Sequence, residues 1–245
     1  MPRSGSRAPD SLRAVSITPN YLDFAEGSAL ISWGKTRVLC AASLLDQVPL
    51  FKQGTGEGWV TAEYAMLPRS TQVRQPREGA AGGPRGRTLE IQRLIGRSLR
   101  AVVDLKTLGE HTVILDCDVL QADGGTRAAA ITGAFVALCL ALESGRRREI
   151  LPCLPLKDLV AGVSLGLVDG QLLLDLDYEE DSRAQVDANF VVTGRGELAE
   201  VQISGEGCAF PASLLQEMTA LAQKGVRALH RLQMEVLDPW LPRFW

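Results

Sequence analysis

The sequence predicts an α+β fold in which blocks of strands are followed by long helices. Apolar segments of strand length fill residues 12–66, and a strand leads into an apolar helix at residues 111–143. Further strands then precede a last helix that begins at Pro211. Segments in this order favour mixed sheets with helices packed on them. Because no repeat, low-complexity tract or linker interrupts the 245 residues, we expect a single domain over residues 1–245.

The first block is expected to contain four strands, because apolar residues alternate with polar ones between turn residues. They cover residues 12–17, 29–33, 37–44 and 59–67. A Gly- and Arg-rich loop is expected at residues 69–88, followed by a helix from about Leu89 to Val103 with one broad apolar face. Three arginines lie on the opposite face, which either is solvated, contacts another subunit or binds RNA: Arg93, Arg97 and Arg100.

The second half of the chain begins with a strand at residues 111–119 and a helix at residues 127–143. This helix is apolar nearly all round, which predicts that it is buried. A meander of three strands is expected at residues 159–168, 172–178 and 186–193, with a fourth strand at residues 198–204. The last helix is expected to reach about Val236 and to turn one apolar face inward.

The composition indicates a folded, soluble protein, with 46% hydrophobic residues, 22% charged residues and a net charge of −3. A net acidic chain is not an obvious nucleic-acid binder, so that role would need local clusters of positive charge. The five cysteines form no CxxC pair and are expected to be reduced, which argues against a zinc site. The start of the chain is polar, and the run from Ala128 to Leu142 is shorter than the ~20 residues of a membrane span. We therefore expect a cytoplasmic protein that does not contact a membrane.

Residues 121–127 carry the most informative motif of the chain. Gly124 and Gly125 allow a sharp turn and a close approach to a ligand. Thr126 and Arg127 then stand at the opening of a helix, where free N–H groups and the helix dipole favour an anion. The motif predicts a phosphate-binding site. The alternative is an ordinary Asp-Gly-Gly turn in which Thr126 is the N-cap of the helix.

The expected loop at residues 69–88 concentrates positive charge in an otherwise acidic protein. Its basic residues are all arginine, against a single acidic residue, Glu78: Arg69, Arg74, Arg77, Arg85 and Arg87. Arginine binds phosphate through two parallel hydrogen bonds better than lysine does. The loop either is solvated or contacts a phosphate backbone, and such a contact would be sensitive to salt.

An acidic segment lies between the second and third strands of the expected meander. It comprises Asp175, Asp177, Glu179, Glu180 and Asp181, and Asp187 follows at the start of the next strand. Across a hairpin, Asp181 and Asp187 can come together. Such a pair either binds Mg²⁺ or has two separated pKa values, which would leave one carboxyl group as a general acid. The alternative is a solvated acidic turn.

Four segments in order along the chain resemble the bacterial ribonuclease PH family. They are EYAMLPRST at residues 63–71, GRTLEIQRLIGR at 86–97, LDCDVLQADGGTR at 115–127, and EDS with VDAN at 180–182 and 186–189. The likeness extends from about residue 10 to the end of the chain. One departure is visible at residues 79–85, which lack the lysines expected at this place in the family.

The resemblance implies a phosphorolytic 3′→5′ exoribonuclease that trims the 3′ ends of tRNA precursors. It also implies a ribosomal-protein-S5-like α+β fold and a homohexamer built as a trimer of dimers. Phosphate binding would fall on Arg87, Gly125, Thr126 and Arg127, and catalysis or Mg²⁺ binding on Asp181 and Asp187. The matching RNA-binding and subunit-contact positions are Arg69, Arg74 and Arg77. A non-catalytic RNA-binding ring subunit and a hydrolytic nuclease remain the alternatives.

Overall fold

A computed structural model of the protein describes residues 3, 6–78, 82–83, 86–207 and 209–241. The described chain contains nine strands and five helices. The strands are β1 (Val15–Pro19), β2 (Gly27–Trp33), β3 (Thr36–Leu45), β4 (Trp59–Met66), β5 (Thr112–Gln121), β6 (Val160–Val168), β7 (Gln171–Leu174), β8 (Val186–Thr193) and β9 (Leu198–Gly205). The helices are α1 (Gly86–Ala101), α2 (Leu105–Leu108), α3 (Thr126–Arg147), α4 (Tyr178–Asp181) and α5 (Ser213–Leu237). The predicted α+β class is confirmed.

The first five strands form one mixed sheet with the order β1-β2-β3-β5-β4. All neighbours in it are antiparallel except β4 and β5, which run parallel. The parallel pair ends with Met66 opposite Val119, so both strands lead toward the same edge of the sheet. The motif at residues 124–127 leaves this edge directly after β5.

The second sheet is antiparallel and has the order β7-β6-β8-β9. The predicted meander is therefore wrong, because β8 pairs with β6 and not with β7. Nearly every residue of β6 is buried, which suits a central strand rather than the edge position that a meander would give it. The chain between β7 and β8 is no hairpin turn either, since it forms the one-turn helix α4.

Helix α3 packs against both sheets and is the centre of the core. Its residues from Ala128 to Leu142 are all buried, as the sequence predicts. The helix has the length and apolar composition of a membrane span, but 94% of its most apolar window is buried inside the protein. A Cβ atom on Gly133 would lie 2.8 Å from Ile31 Cγ2 and 3.0 Å from Cys40 Sγ. The glycine thus allows α3 to approach the first sheet closely.

One buried apolar cluster includes side chains from both sheets and from α1, α3 and α5. The expectation of a single domain stays a prediction. Three cysteines in this region, Cys40, Cys117 and Cys139, are buried free thiols, and Cys153 is free and exposed. Cys208 lies outside the described residues.

Helix α1 begins at Gly86, three residues before the predicted start, so Arg87 belongs to its first turn rather than to a loop. Two of the three arginines predicted on the outer face of α1 contact other residues of this chain. Arg97 donates two hydrogen bonds to Glu200, at 2.8 and 3.0 Å. The guanidinium of Arg100 stacks over the Trp59 ring, 4.2 Å from its centre. Arg93 is exposed.

Candidate active site

The turn before α3 depends on two glycines in the left-handed region, with φ of 77° at Gly124 and 66° at Gly125. A Cβ atom on Gly124 would lie 2.5 Å from the Leu176 carbonyl oxygen and 2.6 Å from the Asp177 carbonyl carbon. A side chain there would collide with the segment after β7 as well as strain the backbone. The absence of a side chain at Gly124 thus allows the turn to pack directly against the acidic segment. Gly125, not Thr126, is the N-cap of α3, so the alternative reading of Thr126 as the cap is wrong.

The N-terminus of α3 is suited to an anion. The first backbone N–H groups of a helix have no partner within the helix, and the dipole makes this end positive. No acidic residue stands in the first turn of α3. The Tyr64 hydroxyl donates a 3.0 Å hydrogen bond to Thr126 Oγ1, which leaves the Thr126 proton free to be donated elsewhere. Burial raises the pKa of Tyr64, so the phenol keeps its proton for this contact.

Arg127 enters the site from the first turn of α3. Its side chain is 19% exposed, and its Nη2 lies 3.6 Å from Glu90 Oε1, a loose ion pair across to α1. Its Nε is buried and has no hydrogen-bond partner in the described part of the chain. A buried donor without a partner is uncommon in native proteins and is ordinarily satisfied by a ligand or by water.

Arg87 approaches the same place from the first turn of α1. Desolvation raises the pKa of Asp181, and the positive charges of Arg87 and Arg127 partly offset this rise. The positive charges of both guanidinium groups also lower the pKa of Tyr64, which partly offsets the effect of burial on that residue. The fold therefore brings the two predicted phosphate arginines, which are separated by 40 positions in sequence, into electrostatic reach of one carboxylate.

Asp181 and Asp187 form the acidic side of the site. Asp181 is the last residue of α4, and Asp187 is the second residue of β8. Burial raises the pKa of Asp187 to about 6, and repulsion from Asp181 contributes to the rise. The charge of Arg127 opposes it. The structure thus places the predicted carboxylates within electrostatic reach of each other. Asp181 is exposed, whereas the partial burial of Asp187 favours a protonated carboxyl group there.

Three of the other acidic residues of the segment, Asp175, Asp177 and Glu180, are buried and have structural contacts, whereas Glu179 is exposed. Asp175 and Glu180 are buried and paired with arginines from the start of the chain. Asp177 caps α4 and forms a capping box with Glu180. For these three residues, the segment is therefore not the solvated acidic turn that the sequence left as an alternative. Among the described residues, no group of three or more His, Cys, Asp and Glu side chains is placed to hold a metal ion.

The loop after β4 presents its arginines to solvent. Arg69, Arg74 and Arg77 are exposed, and Arg69 donates to the Gln72 carbonyl at 3.1 Å. Desolvation raises the pKa of Asp118, and the charge of Arg77 partly offsets this. The Ala122 amide donates to the Ser70 carbonyl at 2.8 Å, which places the loop beside the approach to the glycine turn. Arg85, the remaining arginine of the predicted basic loop, lies outside the described residues.

Two neighbours of the site do not appear among the residues predicted from sequence. Tyr64 stands within the motif at residues 63–71, and its inward position follows from the alternation of β4. Glu90 follows Arg87 by three positions, so both lie on the same face of α1. Their roles depend on contacts with α3, which no local pattern encodes.

Two family models cover most of the chain. Residues 11–142 match domain 1 of the 3′ exoribonuclease family, and residues 158–225 match domain 2 of the same family. The chain belongs to the 3′ exoribonuclease family.

Two relatives are similar over nearly their whole length. A ribonuclease PH from Methylocella silvestris is 56% identical over 231 residues, which cover 94% of this chain and 98% of that protein. A ribonuclease PH from Moorella thermoacetica is 55% identical over 237 residues, which cover 97% and 95%. The predicted resemblance to ribonuclease PH is confirmed.

Solved structures agree with the fold. The Archaeoglobus fulgidus exosome with RNA bound to the active site matches with a TM-score of 0.81 at 25% identity, covering 94% of this chain and 91% of that one. Rice Rrp46 matches with a TM-score of 0.75 at 21% identity, covering 97% and 100%, and supports the fold alone.

Proposed function

We propose that the protein shortens RNA from its 3′ end with inorganic phosphate as the attacking reagent. It is a phosphate-dependent 3′→5′ exoribonuclease of the cytoplasm that trims tRNA precursors and releases nucleoside diphosphates. One observation carries this proposal: Arg127, in the first turn of α3, has a buried Nε without a hydrogen-bond partner in the described part of the chain. The charges of Arg127 and of Arg87, which comes from a different helix, both act on the carboxylate of Asp181. A two-metal site for RNA hydrolysis would need a denser acidic cluster and no phosphate-binding site.

Inorganic phosphate binds at the opening of α3 in this mechanism. The amides of Gly125, Thr126 and Arg127 donate to it, and so does the Thr126 hydroxyl, whose acceptor side is occupied by Tyr64. The guanidinium groups of Arg127 and Arg87 offset its charge. The unpartnered Arg127 Nε supports this role, because phosphate would supply the missing acceptor. Each charge-assisted hydrogen bond contributes about 1.5–3 kcal/mol.

A phosphate oxygen then attacks the last phosphodiester bond of the RNA in line. The P–O bond to the 3′-oxygen of the preceding nucleotide breaks, and the terminal nucleotide leaves as a nucleoside diphosphate. Negative charge grows on the equatorial oxygens, so fixed arginines lower the barrier. Asp187 supplies the proton for the departing 3′-oxygen, because a pKa of about 6 keeps part of it protonated near neutral pH. Excess nucleoside diphosphate drives the reverse reaction, which adds nucleotides.

The residues present fit a magnesium ion. Mg²⁺ is commonly held by one or two carboxylates together with waters and substrate phosphates. Desolvation and repulsion from Asp181 raise the pKa of Asp187, and a bound cation would offset the negative charge of both carboxylates. Asp181 and Asp187 would hold the ion as ionised carboxylates. In that case the ion, and not a proton from Asp187, would offset the charge on the departing 3′-oxygen.

The exposed arginines Arg69, Arg74 and Arg77 bind the RNA backbone upstream of the reacting end. Their side chains are exposed, and their loop adjoins the glycine turn through Ser70. Contacts to phosphates of a single strand make binding salt-dependent but not sequence-specific. This arrangement suits an enzyme that removes successive nucleotides.

The protein assembles as a homohexamer, a trimer of dimers. Two loops at the same end of the first sheet support oligomerisation, because they expose large apolar side chains: Tyr21, Leu22, Phe24, Leu50 and Phe51. A 3.1 Å hydrogen bond from the Leu44 amide to Glu26 Oε2 ties the first of these loops to β3, whose end leads into the second. Light scattering on the purified protein measures the subunit number, and a monomer would contradict the hexamer.

The function is tested with a tRNA that carries a 3′ extension, incubated with and without phosphate. Nucleoside diphosphates that appear only with phosphate support the proposal. Nucleoside monophosphates formed without phosphate would show hydrolysis instead. If no nucleotide is released under either condition, the protein is a binding subunit and not an enzyme.

A further inference from the structure

A buried cluster of charges lies directly behind the glycine turn. Asp175 follows β7, and its side chain is 1% exposed. Its carboxylate accepts from the Arg13 backbone amide at 2.6 Å, from Arg13 Nη2 at 2.6 Å and from Trp33 Nε1 at 2.9 Å. Arg7 Nη1 lies 3.3 Å away. The N-terminal segment before β1 is thus bound to the acidic segment through a buried ion pair.

The same arginine also holds the glycine turn. Arg13 Nη1 donates to the Asp123 carbonyl, and Nη2 lies 3.4 Å from the Gly124 carbonyl oxygen. Thr36 Oγ1 donates to the Gly124 carbonyl at 2.8 Å and accepts from the Asp123 amide at 2.9 Å. Two successive carbonyl groups of the turn are therefore drawn to one side by Arg13 and Thr36.

This arrangement determines where the amides of the turn point. In a planar trans peptide, the C=O and the following N–H point in opposite directions. Fixing the carbonyls of Asp123 and Gly124 therefore directs the N–H groups of Gly124 and Gly125 away from Arg13. The Gly125 N–H, which belongs to the proposed phosphate site, thus points to the side opposite Arg13. Without these contacts, the two glycines would leave the orientation of the peptides poorly defined.

Arg13 acts through the turn and not on the ligand itself. Its side chain is 7% exposed, and its nitrogens are occupied by Asp175 and by the two carbonyls. Asp175 neutralises its charge at close range. The pair also spans both halves of the site, since the segment after Asp175 packs on Gly124 and then forms α4, which ends at Asp181.

We propose that Arg13, held by Asp175 and assisted by Thr36, is a positioning residue that aims the backbone amides of the glycine turn at inorganic phosphate. The inference rests on the proposed phosphorolytic function. Loss of these contacts weakens phosphate binding more than it weakens RNA binding, because the RNA-binding arginines belong to a different loop. The KM for phosphate should therefore rise while the KM for RNA stays nearly constant.

The test compares valine substitutions at two buried threonines, one that contacts the glycine turn and one that does not. Thr36→Val removes the hydroxyl that fixes the turn and keeps the side-chain shape. Thr132→Val is the matched control, because Thr132 is equally buried on α3 and its hydroxyl contacts the Gly162 backbone instead of the turn. Initial rates of nucleoside diphosphate release are measured against phosphate at saturating RNA, and against RNA at saturating phosphate. Arg13→Lys is measured in the same way.

Thr36→Val should raise the KM for phosphate about fivefold, as expected for one lost hydrogen bond, with the KM for RNA unchanged. Thr132→Val should leave both constants unchanged. If Arg13→Lys folds, it should raise the KM for phosphate at least as much. The proposal is overturned if Thr36→Val leaves the KM for phosphate within twofold of wild type, or if both valine variants change both constants equally. Failure of the proposed function would give a different result, because the wild-type protein would then release nucleotides without added phosphate.

Discussion

Asp187→Asn should stabilise the free protein while it reduces catalysis. Burial and the neighbouring Asp181 raise the pKa of Asp187 from 3.8 to about 6. At about 1.4 kcal/mol per pKa unit this shift corresponds to about 3 kcal/mol. Partial exposure of the side chain reduces the expected effect to about 2 kcal/mol. The ionised carboxylate therefore opposes folding by roughly this amount at pH 8.

The sign of the pH dependence follows from linkage. The folded-state pKa lies above the unfolded value, so the folded protein binds the proton more tightly than the unfolded chain does. The stability contributed by the protonated form is fully present below pH 3.8 and is lost as the pH rises through about 6. Asparagine cannot ionise, so the gain from Asp187→Asn should be absent near pH 4 and complete at pH 8.

Thermal unfolding at equal protein concentration measures this gain, because assembly would otherwise change the midpoint. For a chain of this size, about 2 kcal/mol corresponds to a rise of about 5 °C. Glu179→Gln is the matched control, since Glu179 lies exposed in α4 near the site. Turnover by Asp187→Asn should fall more than its RNA affinity. A variant that is no more stable than wild type at pH 8 would refute the assignment of a desolvated, repelled carboxylate.

Three further predictions follow from the site and its turn. Arg127→Ala should lower kcat/KM for phosphorolysis roughly hundredfold by removing at least two charge-assisted hydrogen bonds. Arg195→Ala, at an exposed arginine far along the chain, is its control, and equal rates in the two variants would contradict the phosphate seat. Gly124→Ala should cost about 2 kcal/mol or more in denaturant unfolding, through positive φ and collision with Leu176. Gly170→Ala shares the positive φ but meets nothing within 4 Å, so a similar loss there would argue against the collision. Replacing Arg69, Arg74 and Arg77 together by alanine should make the dependence of RNA binding on salt less steep. The slope of log K for RNA binding against log salt concentration should become less negative by about 2. A wild-type slope in a binding titration would show that this loop does not contact RNA.

Local periodicity predicts most of the elements correctly. The alternation in β2 and β3 and the apolar circumference of α3 depend only on neighbouring residues, and the structure keeps all three within a few positions of the expected bounds. The early start of α1 is harder to infer, because Gly86 is a poor helix former and its neighbours are rich in glycine. Tertiary packing overrides that preference.

Strand order and the division of the acidic segment could not be read from the sequence. The central position of β6 depends on its pairing with β8, whose residues lie 19 to 33 positions further along the chain. Asp175 and Glu180 resemble Asp181 in sequence, yet they pair with arginines more than 160 positions earlier. Only the fold distinguishes carboxylates that anchor the N-terminal segment from the two that face the arginines.

The close approach of α3 to the first sheet at Gly133 has a consequence for how the enzyme would fail on heating. The helix whose N-terminus we propose as the phosphate site is also the element around which both sheets pack. It therefore cannot unfold locally without disrupting the core. Regions that open locally are those with few buried contacts. Most residues of α3 are buried, so local opening of this helix is not expected. Catalytic activity and tertiary structure should therefore disappear at one temperature, with no interval in which a folded protein has lost its affinity for phosphate.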